Sequence, residues 1–222
     1  MFEDLDDQTF VHHIFRSEDR LDLKYVEEAK RRAKSVAPLL SEVLLQEKNY
    51  KRRGKAWWGV IHATHLLGIL GGESALSALL AASRFSNIYG IDWIWEALPE
   101  SYLRLGPAIT PRLEEHIEGH RTEEYEVISS EVEGLWNIWQ VHPNRRQGIE
   151  DFFLKLLQSR GNTAAFNANV IADFALIGRT DLRPLFVQMF DRGEVDLEVL
   201  TREDMEHFLD NVNAPPGSSD RP

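Results

Sequence analysis

Apolar residues recur along this chain at three- and four-residue intervals, the spacing that places side chains on one face of a helix. Leu39, Leu40, Val43 and Leu44 form one such stripe, Phe152, Phe153, Leu156 and Leu157 another, and Met205, Phe208 and Leu209 the last. In the stretch 66–80, LLGILGGESALSALL, one apolar helix runs into Gly71-Gly72 and a second starts at once. Glycine ends helices because it tolerates positive φ. The same outline returns in YLRLGPAITPRLEEHI (102–117) and FALIGRTDLRPLFVQMF (174–190), and the 72 residues from Gly106 to Gly178 are close to twice the 35 from Gly71 to Gly106. The intervening beat falls at His142, where VHPNRRQGIEDFFLKLL puts His-Pro-Asn in place of glycine. Two helices every three dozen residues predict an all-α fold, an α-solenoid of about five two-helix repeats.

The stripes and their breakers set finer expectations. A charged helix over 25–34 completes an N-terminal cap, residues 1–35, because a terminal repeat must cover apolar surface on one side and face water on the other. The array then occupies 36–211 as one continuous domain with the cap, and the Pro/Gly/Ser-rich 212–222 reads as a disordered tail. Pro38 starts a helix, since a missing N–H is harmless in the first turn. Helices follow over 56–70 and, from Glu73, over 73–86. Pro99 should break or kink the helix 93–105 near Leu98, because a mid-helix proline costs about 3 kcal/mol. One long helix is expected over 123–141 and another over 148–159. Asn162 is a candidate cap for 163–177, and Thr201 with Asp204 three residues on makes a capping pair.

Charge narrows the partners. The net charge is −11, with −4 on residues 1–20, +5 on 21–56, −4 on 57–119 and −8 on 120–222. Such an acidic body repels phosphate backbones, so no nucleic-acid partner is expected. No uncharged apolar run reaches transmembrane length, and the opening MFEDLDDQTF is acidic where a secretory signal would be basic. These features predict a cytoplasmic protein with no membrane partner. The absence of cysteine removes disulfides, thiolate nucleophiles and Cys-ligated zinc.

LLGILGGESALSALL resembles the HEAT-type repeat, in particular the short variety seen in phycobilin-lyase-like proteins, whose pattern is an Ala-Leu-Gly helix end, a turn and a Leu-rich helix. The likeness extends over 36–190 and is sharpest around Gly71. The Asp and Val-Arg pair of that pattern is replaced here by EKNYKRRGKAWW and RFSNIYGIDWIW. The resemblance implies a superhelix; some proteins of this architecture act on modified DNA bases or bilins, which leaves a HEAT-fold enzyme or ligand binder as the alternative function.

Solenoids bind through the helix row that lines their concave wall. On the second helix of each pair, the residues outside the core stripe are Trp58, His62, His65 and Ile69; then Trp93, Glu96, Glu100 and Arg104; then Ser130, Glu133, Asn137 and Gln140, with Trp136 beside them; then Phe166, Asn169 and Asp173. Aromatics, acids and amides in one groove suit an extended or helical peptide, with the carboxylates selecting positive charge. Tryptophans at helical spacing fill cores more often than they anchor ligands, so both roles stay open. His62 and His65 would bind a metal only if Glu100 or Glu133 converged on them, and Glu100 with His65 lacks any accompanying nucleophile motif. No catalytic residue, metal site or cofactor is assigned. The expected function is a non-catalytic scaffold that holds a protein or peptide on its concave face, where the carboxylates admit a basic one.

Overall fold

Twelve α-helices bury the apolar stripes in the computed structural model, which describes residues 2–72 and 74–211, and there is no strand among those residues. The chain is all-helical. The expected tail, 212–222, lies outside the described residues, as does Glu73. Two compact units divide the chain: Met1–His120 with Glu126–Ile149, and Arg121–Tyr125 with Glu150–Pro222.

The first unit starts with α1 (Asp7–His12) and α2 (Leu23–Arg31), capped by the carboxylates of Asp6 and Asp22. Tyr25 stacks on Phe10 with ring centroids 4.2 Å apart and donates its hydroxyl to the Phe10 carbonyl at 2.9 Å. The helix expected over 25–34 is interrupted, because Arg32 leaves helical geometry and α3 (Ala33–Leu45) begins after it. Its guanidinium donates to the carbonyls of Leu5 (2.6 Å), Glu3 (2.8 Å) and Phe2 (3.0 Å) and pairs with Glu28 and Asp7. These contacts tie the residues before α1 to the junction between α2 and α3. Pro38 does not start α3 but sits inside it.

Next come α4 (Trp58–Leu70), α5 (Ala75–Tyr89), α6 (Asp92–Leu105), α7 (Thr110–His120) and α8 (Ser129–Val141). α4 packs on α6 and α6 on α8, α3 touches both α4 and α5, and α5 and α7 pack on α6 and α8 respectively. Contrary to expectation, Pro99 does not break α6. The carbonyl that its missing N–H would have used belongs to Trp95, and the Ser130 hydroxyl of α8 approaches that oxygen at 3.5 Å. A neighbouring helix thus takes up the freed acceptor, and Pro99 is itself buried. The long helix expected over 123–141 is a 3₁₀ turn at Tyr125–Val127 followed by α8.

In the second unit α10 (Ala164–Leu176) packs on α12 (Arg202–Asp210), with α11 (Arg183–Asp191) between them in sequence; the division between units falls inside α9 (Arg146–Leu157). Thr163, not Asn162, caps α10. Asn162 donates instead to the Leu156 carbonyl and to Asn167, both at 2.8 Å. Thr201 and Asp204 do form a reciprocal capping box. Phe153, Phe166, Phe174, Phe186 and Met205 make the core of this unit.

Gly71 follows α4 with φ 67° and ψ −150°, a region open almost only to glycine. The nearest atom to an added Cβ is Leu105 Cδ2 at 3.8 Å, so Gly71→Val would suffer backbone strain without a clash. A loss of about 1–3 kcal/mol is expected, read as a lowered urea midpoint; an unchanged midpoint would contradict the assigned turn.

Candidate functional site

α4 is apolar around most of its circumference because α3, α5 and α6 all cover it. Its uncovered edge carries Trp58, His65 and Ile69, half-buried, exposed and exposed respectively. The matching edge of α6 carries Asp92, Trp93, Glu96, Glu100 and Arg104, all exposed, and Trp93 keeps 53% of its surface in solvent. Packing of α4 on α6 joins the two edges. Trp58 and Trp93 approach to 5.8 Å between centroids, and Trp57, the last residue of the 3₁₀ turn Gly54–Trp57, meets Trp58 edge-on at 5.1 Å.

His62, expected on the open wall, is in the core at 6% exposure. Its Nε2 lies 2.7 Å from the Glu18 carbonyl. A carbonyl can only accept, so Nε2 carries the hydrogen and is not free to ligate a metal. Burial lowers the pKa of His62, and at His65, whose residue is exposed, partial desolvation of the ring and the nearby Arg104 act in the same direction. Arg104 in turn pairs with Glu100 at 2.8 Å. Among the described residues no three His, Asp or Glu side chains gather as a metal site.

On α8, Glu133 is exposed and Asn137 half-buried, and partial desolvation raises the Glu133 carboxyl above its ordinary pKa. Trp136 is in the core rather than on the wall, 6% exposed and 5.9 Å from Trp139. It lies four residues after the buried Val132, on the same face of a helix that α6 and α7 both contact. Asn169 and Asp173 belong to α10 in the second unit, both half-buried; Asn169 Nδ2 donates to the Ala165 carbonyl at 2.9 Å, and Phe166 is fully buried. The structure therefore joins Trp58 to Trp93 and, separately, Arg104 to Glu100 with His65 in reach of its charge, leaves Glu96 exposed on α6, and puts His62 and Trp136 beneath the surface.

Two features escaped the sequence reading. Trp57 joins the aromatic cluster, and adjacency to Trp58 was the available signal. Beneath the face, Glu131 is fully buried and its Oε1 accepts the Tyr102 hydroxyl at 2.7 Å. Glu131 falls in the apolar series Ile128, Glu131, Leu135, Ile138, spaced 3, 4 and 3, which marks it as inward-facing. Burial raises its pKa; the Tyr102 hydrogen bond and the nearby Ser83 hydroxyl act the other way, although Ser83 does not close a hydrogen bond of normal geometry.

Within the second unit, a cavity of about 830 Å³ is walled by Arg160, Asn162, Asn167, Gln188, Arg192 and Glu194, among others. It contains none of the predicted site residues, and its buried amide, Asn167, is already committed to the Glu194 carbonyl at 2.8 Å. No helix among the described residues is long and apolar enough to cross a membrane. Compared with known proteins, the chain matches no family model, no curated protein and no solved structure.

Proposed function

We propose that this chain is a non-catalytic α-solenoid of HEAT-like two-helix repeats, working in the cytoplasm, that holds an extended basic segment of another protein along the open edges of α4, α6 and α8. The exposed Trp93 beside Trp58, in a row with Asp92 and Glu96, carries the proposal. A tryptophan half in water adds little to folding, whereas large aromatics desolvated by a partner dominate binding energy. Carboxylates around such an anchor raise the association rate of a positive partner and disfavour an acidic one. The side-by-side packing of α4, α6 and α8 supports the repeat reading, since in a solenoid each repeat touches its neighbours through equivalent helices.

A photo-crosslinking amino acid placed at Glu96, with Glu115 on α7 as the control position, tests the proposal in cells. Irradiation should give a discrete adduct from position 96 alone, mapped by mass spectrometry to a Lys/Arg-rich segment. Equal adducts from both positions, or none from position 96, would reject this face.

A further inference from the structure

The corner made by Trp57, Trp58 and Trp93 gathers three neighbouring indoles at the surface of the first unit. Other aromatic rings of this chain lie beneath cations of its own: Arg32 over Phe10, Arg52 over Phe15, Lys51 over Tyr89, Arg146 over Trp139, Arg179 over Phe174 and Arg202 over Phe190. Among the described residues no such pair uses Trp57, Trp58 or Trp93. These are the side chains best suited to the role, because indole has the strongest negative face.

Trp93 keeps 53% of its surface in solvent, and Trp57 and Trp58 are half-buried. Trp57 and Trp58 meet at 78° and Trp58 and Trp93 at 55°, so the rings stand as inclined walls and do not cover one another by stacking. The ring stacked on Trp58 is His62, at 27°, and its buried imidazole is held neutral by a pKa lowered from the ordinary value, so it does not repel a cation. Lys55, two residues before Trp57, is held by Glu18. Asp92 and Glu96 flank Trp93 at one and three residues, and neither has an ion pair among the described residues. Two carboxylates without an ion pair, beside one exposed indole and two half-buried ones, are complementary to a cation.

We infer that this corner seats the cationic head of a lysine or arginine side chain, against the faces of Trp57, Trp58 and Trp93 and within reach of Asp92 and Glu96. The inference rests on the proposed binding of a basic segment along the same edge and names the contact that would recognise it. An ammonium or guanidinium over an exposed indole gains about 0.5–1 kcal/mol, and roughly 2 kcal/mol once water is excluded. Removing one wall should therefore weaken binding by about 2- to 30-fold.

The test uses the full chain labelled with 5-fluorotryptophan, with each fluorine resonance assigned by single Trp→Phe substitutions. An eight-residue oligolysine and its fully Nε-acetylated counterpart are the probes. Oligolysine should shift the Trp57, Trp58 and Trp93 resonances saturably and leave the buried Trp136 in place, and the acetylated peptide should move none of them. Trp93→Leu, at an exposed position that the fold can spare, should weaken oligolysine binding at least about twofold with an unchanged circular dichroism spectrum. Silent corner resonances, equal shifts with the acetylated peptide, or full affinity in Trp93→Leu would each overturn the inference, the last by assigning binding to Asp92 and Glu96 alone. A basic adduct from position 96 alongside a silent corner would remove this inference and leave the scaffold standing, so the two failures are distinguishable.

Discussion

Gly68→Val is expected to lower the thermal midpoint by roughly 2–12 °C, from about 1–3 kcal/mol of overpacking at 2–4 °C per kcal/mol. At Gly68 the backbone of α4 comes close to α6. A Cβ built there would stand 2.6 Å from Ser101 Oγ, 2.8 Å from Ser101 Cβ and 2.9 Å from Ser101 Cα. A hydroxyl can rotate away, but Cα belongs to the α6 backbone. The helices would have to separate, loosening the fully buried Leu67 and Leu98. Ser101 is suited to the crossing because its hydroxyl is satisfied within its own helix, by the Ala97 carbonyl at 2.8 Å. Gly119→Ala is the control, since an added Cβ there meets nothing within 4 Å, and it should leave the midpoint unchanged or slightly raised. Equal midpoints for Gly68→Val and the wild type, by differential scanning calorimetry, would disprove the close crossing.

The second large effect concerns Tyr102 and Glu131. Tyr102→Phe deletes the hydroxyl that donates to Oε1 of a fully buried carboxyl whose Oε2 has no hydrogen bond, leaving a second oxygen unpaired at a cost of about 1–3 kcal/mol. Glu131→Gln keeps an amide oxygen for that hydroxyl and should cost less. The pH dependence separates the two. With its pKa raised in the fold, Glu131 keeps its proton where the unfolded chain has released it. Its contribution to stability is therefore complete below the unfolded value of about 4.3 and is lost as pH climbs through the folded value. Glu131→Gln should remove that decline from urea-unfolding curves taken across the range. An unchanged pH profile in Glu131→Gln would mean that the carboxyl is already ionised in the native protein. His116, whose pKa burial and His120 push down to about 4, acts in the opposite sense, because the unfolded chain takes up a proton there first. Stability from this group falls as pH drops from about 6.5 towards 4, so the Glu131 profile is best compared in a His116→Gln background.

Local signals carried much of the helical layout. Gly71 and Gly106 end α4 and α6 where the pattern placed them, with φ of 67° and 84°, and Thr201 with Asp204 opens α12. Two departures from the pattern have a common cause, which is that a distant group took over a local role. Arg32 left its helix for carbonyls near the N-terminus, and Pro99 stayed inside one because the Trp95 carbonyl is approached by a hydroxyl from α8. A window of neighbouring residues contains neither partner.

The candidate site divides the same way. Spacing alone put Trp93, Glu96, Glu100 and Arg104 on one face of a helix, and all four are exposed there. Equivalent spacing on α4 put His62 on the same wall, and Trp136 was expected beside the α8 set, yet both are buried. Periodicity determines which residues share a face, because that follows from 3.6 residues per turn. How far a face is covered depends on the helices that pack beside it, and a near-uniformly apolar helix such as α4 gives periodicity no contrast to read. The sequence by itself determined the helices, most of their ends and the charge of the chain. Only the tertiary structure decided that Trp57 joins Trp58 and Trp93 in one corner, that Gly68 meets Ser101, and that Glu131 is buried against Tyr102, since each contact joins elements whose approach is set by packing.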